Sequence, residues 1–150
     1  MVSKSDSDPF EILVVEDSPD DAFLIQNAFQ RGQIKPHLNL VNNGVEAMNF
    51  LERKEPYAQA PRPDLILLDI NLPKKDGHQV LAEIRNHPHF TEIPIVVLTT
   101  SESEIDIRKT YQLHANCYLT KPADLEQFLR MIRALEEFWF RVVQLPSRVP

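Results

Sequence analysis

The chain has 150 residues, enough for one domain with a full hydrophobic core. Sixteen basic against twenty-two acidic residues leave a net charge of −6, the wrong sign for a nucleic-acid surface. Its single cysteine, Cys117, excludes an intrachain disulfide and a four-cysteine zinc cage, and its three glycines cannot assemble a dinucleotide fingerprint or a P-loop.

Residues 1–9 are polar and read as a disordered N-terminal segment without the apolar core of a signal peptide. The apolar run at 12–15 predicts a first strand. Ser18 then reads as a helix N-cap, with Pro19 at the first helical position and Asp20 and Asp21 in the first turn. That helix carries Ala22, Ile25, Ala28 and Phe29 inward, and Gly32 is expected to stop it. A weaker strand covers 38–41. Asn43 and Gly44 precede a second helix bearing Val45, Met48 and Leu51. The stretch 55–63 holds three prolines and reads as a surface loop.

The runs at 65–68 and 93–98 are continuously apolar, as in strands covered on both faces. Between them a third helix is expected over about 77–86, with Val80, Leu81 and Ile84 inward and Pro88 beyond its end. A fourth, over about 103–114, has a poor stripe, because Ile105, Ile107, Tyr111 and Leu113 share no face. Residues 117–119 make a fifth strand. The fifth helix, over about 123–144, places Leu125, Phe128, Leu129, Ile132, Leu135, Trp139 and Val142 on one face. Met131, Phe138, Phe140 and Val143 fall elsewhere. Exposed apolar clusters of that kind mark interfaces, so a homodimer through this end is expected. Residues 145–150 form a short tail, too short for a DNA-binding domain.

Five strands alternating with five helices define an α/β protein. The expected architecture is flavodoxin-like and doubly wound, with a parallel sheet in the order 2-1-3-4-5. No apolar run approaches the roughly 20 residues of a membrane span, and a cytoplasmic location is expected. In such sheets, sites form beyond the carboxyl ends of the strands. Glu16 and Asp17 follow the first strand, Asp69 and then Asn71 the third, Thr99 the fourth, and Lys121 the fifth. Three carboxylates so gathered repel one another, and one lysine cannot neutralise them, which implies a hard divalent cation such as Mg²⁺. With such an ion in place, Asp69 is positioned to attack phosphorus, and Lys121 and Thr99 to contact phosphoryl oxygens. The main-chain carbonyl of Asn71 could complete the metal sphere.

These residues resemble the four signatures of a response-regulator receiver domain. They are Val15, Glu16 and Asp17; the Leu-Asp-Ile-Asn-Leu-Pro-Lys-Lys-Asp-Gly run at 68–77; Leu98, Thr99 and Thr100; and Thr120, Lys121 and Pro122. The likeness spans about 11–141 and implies a receiver over 10–144. It makes Asp69 the phosphoacceptor, and assigns Glu16, Asp17, Asp69 and the Asn71 carbonyl to Mg²⁺. Thr99 and Lys121 become the switch hydroxyl and the phosphate contact, and Tyr118 the aromatic switch. Glu16 departs mildly from the family, which often has Asp there. The resemblance further implies a sensor histidine kinase as phosphodonor. The Leu-Thr-Thr-Ser run at 98–101, the stretch 111–121 and the aromatic 138–140 resemble the small regulators paired with cyanobacterial phytochrome kinases. A phosphorylation-independent adaptor and a Mg²⁺-dependent phosphatase acting through Asp69 remain alternatives. The intact acceptor set speaks against the first, and Asn71, where such phosphatases carry an acid, against the second.

Overall fold

The computed structural model describes residues 9–146, so the expectations for positions 1–8 and 147–150 lie outside the described residues. Five strands, β1 (Glu11–Val15), β2 (His37–Val41), β3 (Leu65–Leu68), β4 (Ile95–Thr99) and β5 (Cys117–Thr120), form one parallel sheet in the order β2-β1-β3-β4-β5. Five α-helices connect and follow them: α1 (Pro19–Gln30), α2 (Gly44–Leu51), α3 (Gly77–Asn86), α4 (Glu104–Gln112) and α5 (Leu125–Glu136). The expected flavodoxin-like topology is the observed one.

The register brings the strand ends level. Val15 sits beside Leu68, Leu68 beside Val97, and Thr99 beside Thr120. The residues following β1, β3 and β5 therefore meet along one edge.

Period-two alternation divides the buried strand residues between two cores. Leu13, Val15, Ile66, Leu68, Ile95 and Val97 face α2 and α3 on one side. Ile12, Val14, Leu65, Leu67, Val96 and Leu98 face α1 and α5 on the other. The predicted Ser18 cap forms, its side chain accepting from the backbone N–H three residues on, and Asn43 caps α2 in the same way. Asp76 and Gln79 close a reciprocal capping box at the start of α3. At the next residue, a Cβ on Gly77 would lie 2.4 Å from the Cα of Ile70 and 2.5 Å from the carbonyl oxygen of Asp69. Only glycine lets α3 begin that close to the end of β3.

Three helical expectations are corrected. α1 does stop just before Gly32, but not through a left-handed glycine: no described glycine has positive φ, and the C-cap Arg31 is right-handed. A Cβ on Gly32 would instead lie 2.3 Å from both carboxylate oxygens of Glu136, so closeness to the last helix explains the glycine. Val45 of α2 is exposed, whereas Met48 and Leu51 are buried as expected. The third concerns the last helix. Its α-helical part ends at Glu136, and Glu137–Val142 continue as a wider π-type turn, in which the Val143 N–H reaches the Phe138 carbonyl. Such a turn spends an extra residue per revolution and rotates the downstream side chains. Val142 consequently faces solvent, and Phe140 and Val143 turn inward onto the α1/α5 core. Phe140 stacks on Phe29 and meets Phe10 at a tilt. These two residues therefore do not belong to an exposed apolar cluster. Leu125, expected inward, is exposed in the first turn. The poor stripe expected of α4 is real: Thr110 is its one buried residue.

Candidate functional site

Beyond β1, β3 and β5, Lys121 Nζ donates to three carboxylates: Glu16 Oε1 at 2.5 Å, Asp21 Oδ2 at 2.8 Å and Asp69 Oδ2 at 2.9 Å. The lysine, Glu16 and Asp69 side chains are 6%, 2% and 7% exposed, so the cluster lies largely out of bulk water. Asp17 completes it from the exposed side. Glu16, Asp17 and Asp69 each offer a carboxylate oxygen, all within 4.8 Å of one another.

The two oxygens of Asp69 are held differently. Oδ2 faces the ammonium, and Oδ1 accepts the backbone N–H of Asn71 at 3.0 Å. Glu16 is likewise held from two sides, because Ser18 N–H donates to its Oε2 at 3.1 Å. Burial nevertheless pushes the Glu16 carboxyl up to about 7; Lys121 and the Ser18 N–H pull against burial, and the charge of Asp69 works with it. Burial disfavours the Lys121 ammonium, but hydrogen bonds to Asp21, Glu16 and Asp69 outweigh it and leave its pKa raised. One cation thus stands among four carboxyl groups, counting Asp17. Hard oxygen donors, converging and under-neutralised, fit a divalent cation.

Thr99 is fully buried at the end of β4, where its Oγ1 accepts from Asn71 Nδ2 and Ser101 N–H, both at 3.4 Å. Tyr118 is half-buried, and its hydroxyl donates to the Ser101 carbonyl at 2.8 Å. Ser101 bonds to Thr99 through its N–H and to Tyr118 through its carbonyl. The structure thus gathers Glu16, Asp17, Asp69 and Lys121 directly, links Asn71 and Thr99 to them, and sets Tyr118 one hydrogen bond further out. Met131 and Phe138 lie away from this edge, beside the α5 groove.

Asp21 is the site residue that sequence reasoning missed. As the third residue of α1 it reads as an ordinary first-turn acid. Nothing local marks it out, because only the fold brings Lys121 to it.

This sheet, with its acidic edge and strand-end lysine, defines a receiver, and the family model described as the response regulator receiver domain matches residues 12–133. The chain belongs to that family. Among its relatives, "Response regulator Rcp1" of Synechocystis sp. is 46% identical over 146 residues, covering 97% of this chain and 99% of that protein. The fold is similar to the crystal structure of the phosphorylated cyanobacterial phytochrome response regulator RcpA. That likeness has a TM-score of 0.89 and 48% identity, over 93% of this chain and 100% of that one. It is also similar to the Mn²⁺-bound form of Rcp1, with a TM-score of 0.87 and 48% identity, over 92% and 99% of the two chains. Among the described residues, no helix is long and apolar enough to cross a membrane.

Proposed function

We propose that this receiver accepts a phosphoryl group on Asp69 from the phosphohistidine of a sensor histidine kinase of the phytochrome type, with Mg²⁺, in the cytoplasm. The observation that carries the reading is the Asp69 carboxylate itself. It stands at the tip of the central strand, with one oxygen fixed by the Asn71 N–H and the other beside the Lys121 ammonium. In the transfer, an Asp69 oxygen forms a bond to phosphorus as the bond from phosphorus to the histidine nitrogen breaks. Glu16, Asp17, Asp69 and the Asn71 main-chain carbonyl would hold the cation, which would supply charge neutralisation at the phosphoryl oxygens. Lys121 is placed to contact one of those oxygens. Thr99 supplies a hydroxyl to another by giving up its weak 3.4 Å contacts. That movement would loosen the Ser101 segment under which the Tyr118 hydroxyl is bonded, re-forming the surface of α4, β5 and α5. The chemistry assigned is the protein's own phosphorylation and dephosphorylation. The phytochrome-type donor is supported by the likeness to RcpA and Rcp1.

Incubation with Mg²⁺ and acetyl phosphate, or with a phosphorylated kinase, is expected to give a hydroxylamine-labile adduct. Asp69→Asn abolishes it. An intact adduct in that variant would remove Asp69 from its role.

A symmetric dimer belongs to the same proposal. A groove of about 310 Å³ between β5 and α5 is lined by Cys117, Leu119, Met131, Ala134 and Leu135, and Phe138 stands 52% exposed at its rim. In a two-fold arrangement each copy's Phe138 enters the other's groove. Phe138→Asp is expected to give a monomer by light scattering, and an unchanged mass would discard this interface.

A further inference from the structure

Asp21 has no part in the phosphoryl-transfer roles given above, yet it is wired into the site. Ser18 N–H donates to Glu16 Oε2 at 3.1 Å, and Ser18 Oγ accepts the Asp21 N–H at 3.3 Å. The Asp21 carboxylate accepts from Lys121 Nζ, which donates in turn to Glu16 Oε1. These four residues close a ring. The helix cap fixes the backbone of Asp21, so its carboxylate is set in place before any ligand arrives.

The three acids on Lys121 are not equivalent. Glu16 and Asp69 belong to the group of oxygens that converges for a cation, and Asp21 does not. A dication entering that group draws on two of the carboxylates that hold the lysine, Glu16 and Asp69, and repels the ammonium as well. Asp21 keeps its full charge for Lys121.

We infer that Asp21 is a positioning residue: it holds the Lys121 ammonium on the α1 side of the site, leaving the Glu16 and Asp69 oxygens to the cation while keeping the lysine beside Asp69. The inference rests on the receiver reading of the site. Without Asp21, Lys121 would be left with Glu16 and Asp69 as its only carboxylate partners and would compete with the ion for them.

The test is Mn²⁺ binding by the full chain, measured calorimetrically and needing no phosphorylation. Asp21→Asn is expected to weaken Mn²⁺ about fivefold, and Asp21→Glu, which restores the charge, to recover most of the loss. In a Lys121→Met background the same Asn change should cost less than about twofold, because its effect runs through the lysine. In the Mg²⁺-loaded protein, the ¹⁵N-detected Lys121 ammonium should be protected from exchange, and Asp21→Asn should abolish that protection. If Lys121→Met does not fold, the ammonium signal alone decides. Equal losses of affinity in both backgrounds, or an ammonium signal indifferent to Asp21, would overturn the inference. A wild-type protein that binds no Mn²⁺ would instead remove the receiver-site reading, and this inference with it.

Discussion

Two carboxylates, Glu16 at the strand-end site and Glu136 at the seam between α1 and the last helix, are 3% and 7% exposed. Burial raises the pKa of both. Their surroundings then diverge. Glu16 accepts from Lys121 and Ser18, and shares its edge with Asp17 and Asp69. Glu136 Oε1 has no hydrogen-bond partner among the described residues. Arg133 and Arg141 lower the Glu136 pKa through charge, but spend hydrogen bonds elsewhere: Arg133 on the Arg31 carbonyl, Arg141 on Gln33. Burial alone makes a carboxylate costly to ionise. Convergence of a fixed cation and further acids is what turns one into a site.

The comparison breaks most visibly at Lys121. Lys121→Ala leaves Glu16, Asp21 and Asp69 facing one another without their cation, which should cost about 3 kcal/mol of unfolding free energy when no divalent ion is present. Added Mg²⁺ should return much of it, because the ion substitutes for the lost charge. Urea denaturation with and without Mg²⁺ measures both. A variant as stable as wild type in the absence of ions would mean that the three acids are not held together by the lysine.

At the other carboxylate the expected effect comes from space. Gly32→Ala puts a methyl group against the end of the Glu136 side chain, which must move aside, at a cost of about 1 kcal/mol. The double variant Gly32→Ala, Glu136→Ala should recover most of that loss, and thermal denaturation of the pair checks it. Additive losses would show that the glycine serves some other contact.

Next in size is the pair Glu16→Gln and Glu136→Gln. Each wild-type carboxyl has a folded-state pKa above its unfolded value. The contribution of the bound proton is thus complete below the unfolded value and is lost as pH rises through the folded one. For Glu16 that window runs from 4.5 to about 7. Each amide variant should therefore gain stability relative to wild type as pH increases in ion-free buffer. The same pair sharpens the contrast. Glu16→Gln should weaken Mn²⁺ binding, whereas Glu136→Gln should leave it unchanged. A shared loss would place Glu136 in communication with the site.

How far the sequence alone reaches can be argued from the same residues. β1, β3 and α3 were legible because their apolar runs and caps are local signals, and Glu16, Asp17, Asp69 and Lys121 because each follows such a strand. Asp21 was hidden by the ordinary explanation for an acid in a first helical turn; its partner arrives from β5, 100 positions away. Gly32 was assigned to chain geometry when its cause is a side chain on another helix. The orientations of Phe140, Val142 and Val143 depend on the π-type turn, and a constant α-helical period cannot represent it. Three consecutive bulky aromatics at 138–140 cannot all sit on one α-helical face, and that was the available hint.

The smallest effect expected is at Tyr118, and its position says why. The phenol donates to the Ser101 carbonyl, while its ring packs against the α2/α3 core, so Tyr118→Phe keeps the packing and removes one hydrogen bond. Ser101 is only half-buried, and water can take the vacated place on its carbonyl. The loss should be about 0.5–1 kcal/mol. No hydrogen bond joins Tyr118 directly to Lys121 or to the three converging acids, so Mn²⁺ affinity should stay at the wild-type value. Amide exchange should instead quicken at Ser101 and Ser103, which the phenol and the Ser101 hydroxyl help to hold. A changed ion affinity in Tyr118→Phe would mean that the site extends through Thr99 and Ser101 even before phosphorylation, and that direct contact with the lysine is too narrow a criterion for membership in it.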